Sequence, residues 1–167
     1  MQITNRLNEL GAEIVAKVPI NCNGAAYTVQ SNGICTFAQR TDEGNNYLFG
    51  PVFTSGEADF VTLDDDYQVQ FAFVLSDVSH GTYTQLGSAQ RQTDAYNVSL
   101  IVATYINVDC YDTIRSVLSN THSITLQTTS FDTIRNVQQF WKPNVDELGV
   151  DPMRFCFVLN FQYLTKN

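Results

Sequence analysis

The chain has 167 residues and a mass of 18.7 kDa, enough for one domain with a sizeable core. Charged residues make up only 16%, Thr, Asn and Gln together fill about a quarter, and Asp and Glu outnumber Lys and Arg 17 to 9. A formal charge of -8 argues against a basic surface that grips nucleic acid phosphates or docks on an anionic membrane.

The first element is an amphipathic helix. Ile3, Leu7, Leu10, Ile14 and Val18 recur at helical spacing and form one apolar stripe. Thr4 is placed as its N-cap and Pro19 as its stop, so the helix is expected over about Thr4 to Lys17. It lacks the basic start and apolar middle of a signal peptide, and no later stretch reaches the length of a membrane span, so no secretion and no membrane are expected. The four cysteines, Cys22, Cys35, Cys110 and Cys156, show no paired spacing and read as free thiols, some of them in the core.

Short strands follow. Ala25 to Gln30 and Ile34 to Arg40 bracket Ser31-Asn32-Gly33, which reads as a hairpin turn. Asn46 to Phe53 reads as a third strand, with Gly50-Pro51 marking a bend or an edge. Ser55 to Asp66 is acidic and irregular.

Three long segments alternate with period two: Asp66 to Asp77, Asp94 to Val108 and Arg154 to Leu164. Such alternation predicts strands with one face on a core and the other in a polar environment. Between the first two lies Val78 to Thr93, too long for a simple hairpin, which reads as a functional or mobile arm. After Val108 the period changes. Asp109-Cys110-Tyr111-Asp112 resembles a capping box variant opening a helix with Ile114, Val117 and Leu118 inward. His122 to Gln127 reads as a short strand. Ser130 is expected to cap one or two further helical turns with Ile134, Val137 and Trp141 inward, ended by Pro143. Tyr111 to Arg115 and Phe131 to Arg135 are similar and read as two helix starts. The sum is an α+β fold, a mainly antiparallel sheet with an N-terminal amphipathic helix and one or two further helices packed on it, in one domain over residues 1–167 with an arm at about 78–93.

Chemistry is sparse. His80 and His122 read as a turn residue and a helix-end residue, and neither offers a zinc site or a paired nucleophile. Asp64-Asp65-Asp66 lacks the spacing of a calcium loop and reads as a solvated turn. There is no phosphate-binding glycine motif and no nucleophile elbow. Asn97-Val98-Ser99 is a formal glycosylation sequon within a strand of a chain read as unsecreted, and is discounted. No catalytic residue, metal or cofactor is expected, and the chain is read as no enzyme.

The order of elements is the informative object. A helix comes first. The strand Tyr96-Asn97-Val98-Ser99-Leu100-Ile101-Val102 runs into the helix beginning near Tyr111, and Arg154-Phe155-Cys156-Phe157-Val158-Leu159-Asn160-Phe161 closes the chain. This order resembles the tail-terminator, tail-completion and neck ring proteins of tailed bacteriophages, and the low-charge surface resembles ring proteins of crAss-like phages. The resemblance implies a virion structural protein, made in the host cytoplasm, forming a homo-oligomeric ring of six or twelve copies between neighbouring neck or tail proteins. DNA would pass through without specific binding. On that reading Tyr83, Gln85, Leu86 and Arg91 are candidates for an interface arm. Asp64, Asp65 and Asp66 are candidates for an acidic lumen or interface. The alternative is a monomeric β-rich binding module recognising sugar or protein, supported by the strand content and by Tyr83, Tyr96 and Trp141.

Overall fold

A computed structural model describes residues 2–21, 27–41, 47–53, 64, 66–81, 84–86, 89–91, 93–105, 110–132 and 154–166. In chain order these form α1 (Gln2–Asn21), β1 (Val29–Thr41), β2 (Tyr47–Phe53), β3 (Val69–His80), β4 (Thr84–Leu86), β5 (Ala89–Arg91), β6 (Thr93–Tyr105), α2 (Tyr111–Asn120), β7 (Ile124–Asp132) and β8 (Arg154–Lys166). Six strands make one sheet in the order β2-β1-β3-β6-β8-β7. Its neighbours are antiparallel except β1 and β3, which run parallel. The fold is therefore α+β and mainly antiparallel, as the alternation predicts, and each of the three long alternating segments holds a strand, the first beginning at Val69 rather than Asp66 and the second described as far as Tyr105.

Both helices lie on one face of the sheet. The stripe Ile3, Leu7, Leu10, Ile14 and Val18 is fully buried and shares a core with Phe71, Phe73, Leu100, Val102, Phe157, Leu159 and Phe161 from β3, β6 and β8. Burying each such side chain contributes about 1.5–3 kcal/mol, so this stripe is the main reason α1 stays folded. Phe73 meets Phe71 and Phe161 edge-on, at ring-centroid distances of 5.8 and 6.5 Å. Gly11 lets α1 come close to the sheet: a Cβ there would lie 3.2 Å from Ser31 Oγ and 3.4 Å from the Phe73 ring. The second helix contributes Ile114, Val117 and Leu118, and Tyr111 packs edge-on against Phe157 at 5.4 Å.

Several local expectations are corrected. Thr4 lies inside α1 rather than capping it, and Pro19 does not stop the helix, which runs to Asn21. In the last turn a proline forfeits only the bond its own N–H would have made to the Val15 carbonyl. Ser31-Asn32-Gly33 is no hairpin turn. One strand, β1, runs straight through it with a bulge between Ser31 and Ile34 against β3. Gly33 takes φ +71°, which both a turn and a bulge require. No side-chain bond caps α2. Cys110 occupies the cap position, and only Asp112, acidic in the first turn, complements the helix dipole. Ser130 caps nothing, because it sits within β7 opposite Val158. Phe131 and Asp132 continue that strand, so the second of the two similar segments does not start a helix there. Residues 133–153, with Ile134, Val137, Trp141 and Pro143, lie outside the described residues, as do 54–63 and 106–109. His122 occupies a turn between α2 and β7, not a strand.

Candidate functional site

The two candidate regions lie at opposite ends of β3. The acidic run precedes its start. Asp64 and Asp66 are exposed, and Asp65 lies outside the described residues. The turn they form is built, not loose. Asp64 Oδ1 accepts the Asp66 N–H at 2.9 Å, and the Tyr67 N–H donates to the Asp64 carbonyl at 3.2 Å. Gln70, fully buried, clamps the Asp64 main chain with its whole amide: Nε2 donates to the Asp64 carbonyl at 2.7 Å and Oε1 accepts the Asp64 N–H at 3.0 Å. Beside it the Thr28 N–H donates to Gln68 Oε1 at 2.7 Å, tying the starts of the parallel strands β1 and β3 together.

The proposed arm follows the other end, about 35–40 Å away along a twelve-residue strand. Its limits differ from those expected. Val78, Ser79 and His80 belong to β3 and Thr93 to β6, so the long connection is shorter than its sequence suggests. Within it β4 and β5 form a separate two-stranded antiparallel ribbon, with Thr84 opposite Arg91, Gln85 opposite Gln90 and Leu86 opposite Ala89. Gln85, Leu86 and Arg91 therefore sit together on one small ribbon, while Tyr83 lies outside the described residues.

The base of this ribbon is held by contacts that no short motif announces. His80 is the last residue of β3, not a turn residue, and its Nδ1 lies 2.9 Å from Oδ1 of Asp94 across the ladder. Asp94 is largely buried and His80 mostly exposed. The Gly81 N–H donates to the Thr93 carbonyl at 2.7 Å, and a Cβ at Gly81 would lie only 2.4 Å from that oxygen. Glycine is the residue that lets the chain turn out of the sheet here.

The sheet forks at this end. The pairing of β1 with β3 stops at Cys35 opposite Val74, and beyond it β1 pairs with β2 alone among the described residues. Val69 to Val74 are buried, whereas Ser76 to His80 are exposed. Burial of Cys35 at the branch point pushes its thiol up to about 11.

The face away from the helices carries two rows of side-chain hydrogen bonds at the same end. Asn97 Nδ2 donates to Asp77 Oδ1 at 2.6 Å, and Gln162 Nε2 donates to Asn97 Oδ1 at 3.2 Å. In the next row Ser99 Oγ donates to Asn160 Oδ1 at 2.7 Å, and Asn160 Nδ2 donates to Thr128 Oγ1 at 2.9 Å. Alternation assigns Asn97, Ser99, Asn160 and Gln162 to the polar face, whereas strict alternation along β3 puts Asp77 on the core side, and the bulge between Leu75 and Asp77 is what brings it opposite Asn97.

Among the described residues no group of three or more His, Cys, Asp or Glu is placed to hold a metal, and no helix is long and apolar enough to cross a membrane. No protein-family model matches the chain, and no curated protein matches it.

Proposed function

We propose that this chain is a structural subunit of a tailed-phage virion that forms a homo-oligomeric ring in the neck or tail, through which DNA passes. The observation that carries the reading is the forked end of the sheet. There β1–β2 and the β4–β5 ribbon separate from the central strands, and each offers strand edges to a neighbour. Ring subunits join by heterologous contacts that close, and unpaired strand edges are a common means of joining. The element order supports the same reading: a leading helix, a long strand running toward a second helix, and a closing strand. So does the charge. With 9 basic against 17 acidic residues, a channel built of this chain repels phosphate rather than holding it.

Mass in solution tests this directly. Native mass spectrometry or light scattering is expected to give six or twelve times 18.7 kDa, and electron microscopy a closed ring. A monomer at tens of micromolar, roughly the range in which obligate assemblies hold together, overturns the reading and favours a monomeric binding module. Replacing residues 82–92 by a short turn tests the ribbon. A folded protein that no longer closes into a ring assigns the contact to it, and unchanged assembly removes it from the interface.

A further inference from the structure

Among the described residues no strand pairs with the outer edge of β3 beyond Val74, and its geometry can be read residue by residue. Gly81 donates to the Thr93 carbonyl, so 81 and 93 form a hydrogen-bonded pair of the antiparallel ladder. Hydrogen-bonded and non-hydrogen-bonded pairs alternate along such a ladder. Ser79 opposite Ala95 and Asp77 opposite Asn97 are then also turned toward β6, while Val78 opposite Tyr96 and His80 opposite Asp94 are not. The main-chain N–H and C=O of Val78 and His80 therefore point outward, where no described strand meets them. The segment Ser76–His80 holds no Lys and no Pro, the residues that commonly blunt an edge. Val78, 37% exposed, is the exposed large apolar side chain among the described residues.

We infer that this edge pairs with the same edge of a second copy, antiparallel about a twofold axis at Val78, joining two sheets into one. Three registers keep side chains on matching faces. Centring on Asp77 sets Asp77 against its own copy and runs the ladder into Val74, which β1 already occupies; like charges directly opposite destabilise a pair. Centring on Ser79 runs past His80 into Gly81, where the chain leaves the sheet. Centring on Val78 uses residues 76–80 and no others: the regular ladder is Asp77–His80, and Ser76 lies in the bulge that β3 makes against β6 between Leu75 and Asp77. Val78 then exchanges both of its outward bonds with its copy, the two Val78 side chains meet, Asp77 faces Ser79 and Ser76 faces His80. The edge is complementary to itself, which is what a twofold contact needs. A ladder of this length is small beside a standard interface, so the contact is weak in isolation. It does not rest on the ring reading: within a ring assembly it would join two rings face to face, and without one it gives a dimer.

Sedimentation of the full chain up to about 1 mM, the range in which weak pairs form, tests it with two variants. Val78→Pro removes an outward N–H and leaves the ladder to β6 intact, and Val78→Lys sets like charges on the axis. Circular dichroism checks that each folds. Both are expected to weaken the twofold association at least about tenfold, halving the particle mass if rings are present or giving monomer if they are not. Val78→Cys is expected to form a disulfide-linked dimer under mild oxidation, beyond any formed by the wild-type chain or by Ala16→Cys on the exposed face of α1. A wild-type chain with no twofold association, folded variants that associate like wild type, or a Val78→Cys protein that cross-links no more than Ala16→Cys overturns the inference. Loss of the ring with retention of a Val78-dependent dimer would sink the ring reading alone.

Discussion

The two ends of the sheet are made from the same central strands and obey the same alternation, yet they are different environments. At the base, β3 is buried on both faces from Val69 to Val74, and β6 is buried from Leu100 to Thr104. At the forked end β3 is exposed from Ser76 onward, and the face away from the helices carries amides and hydroxyls. What separates them is the set of residues between the core positions. At the base these are Gln70, Ala72, Val74, Ile101 and Ala103, apolar or small except for one amide, which is fully bonded. At the fork they are Asp77, Asn97, Ser99, Asn160 and Gln162. One end is specified by packing and the other by solvation, and the sharpest perturbations are those that treat the two ends alike and find different answers.

The largest contrast is expected between two truncations on β3. Phe73 is buried with edge-on contacts to Phe71 and Phe161, and Phe73→Ala is expected to cost about 3–5 kcal/mol in denaturant unfolding. Val78→Ala, five residues along the same strand and 37% exposed, is expected to change stability by about 0.5 kcal/mol or less. Equal costs would show that the forked end is packed as tightly as the base.

Gln70 comes next. Its fully buried amide makes both of its bonds to the Asp64 main chain, so Gln70→Ala removes both and leaves a gap where the amide was packed, and is expected to cost about 1–3 kcal/mol. Hydrogen exchange at the Asp64 and Asp66 amides is expected to speed up with it, since the acidic turn hangs on this clamp.

A pH titration probes the branch point between the two ends. The buried Cys35 thiol is raised from an ordinary value of 9.0 to about 11. The folded state thus holds this proton more tightly than the unfolded chain does. The stability that follows is fully present below about pH 9 and is lost as pH rises toward about 11. Thermal melts between these values are expected to fall more steeply for the wild-type chain than for Cys35→Ala, in which the other alkaline groups still titrate.

This contrast also explains what was legible in the sequence. The long strands and α1 could be read because their apolar periods of two and 3.6 are carried by many residues at once, and burial on one face enforces both. Single-residue punctuation was less reliable. Ser31-Asn32-Gly33 suits a hairpin turn and a bulge equally, because both need a glycine at positive φ, and only the pairing of β1 with β3 decides. Ser130 suits a helix cap locally, but the ladder to Val158 draws it into β7. The ribbon announced itself through the length of its connection. The fork beside it did not, because it depends on where β1 leaves β3, and the contact of His80 with Asp94 spans fourteen positions with no motif between them.

A small expected effect is the most discriminating about the open face. Asn160 sits at the centre of a polar row, accepting from Ser99 at 2.7 Å and donating to Thr128 at 2.9 Å. On paper it makes as many bonds as Gln70. The difference is water. Thr128 is exposed and Asn160 and Ser99 are partly so, so solvent can replace each bond when the amide is removed. A hydrogen bond with that option contributes at the low end of about 0.5–1.5 kcal/mol. Asn160→Ala is therefore expected to lower the unfolding free energy by no more than about 1 kcal/mol. Asn160→Val is expected to come close to wild type, because a β-branched side chain in a strand offsets the lost bonds. A cost for Asn160→Ala as large as that for Gln70→Ala would mean that water does not reach this row, and that the polar face is closed over in solution.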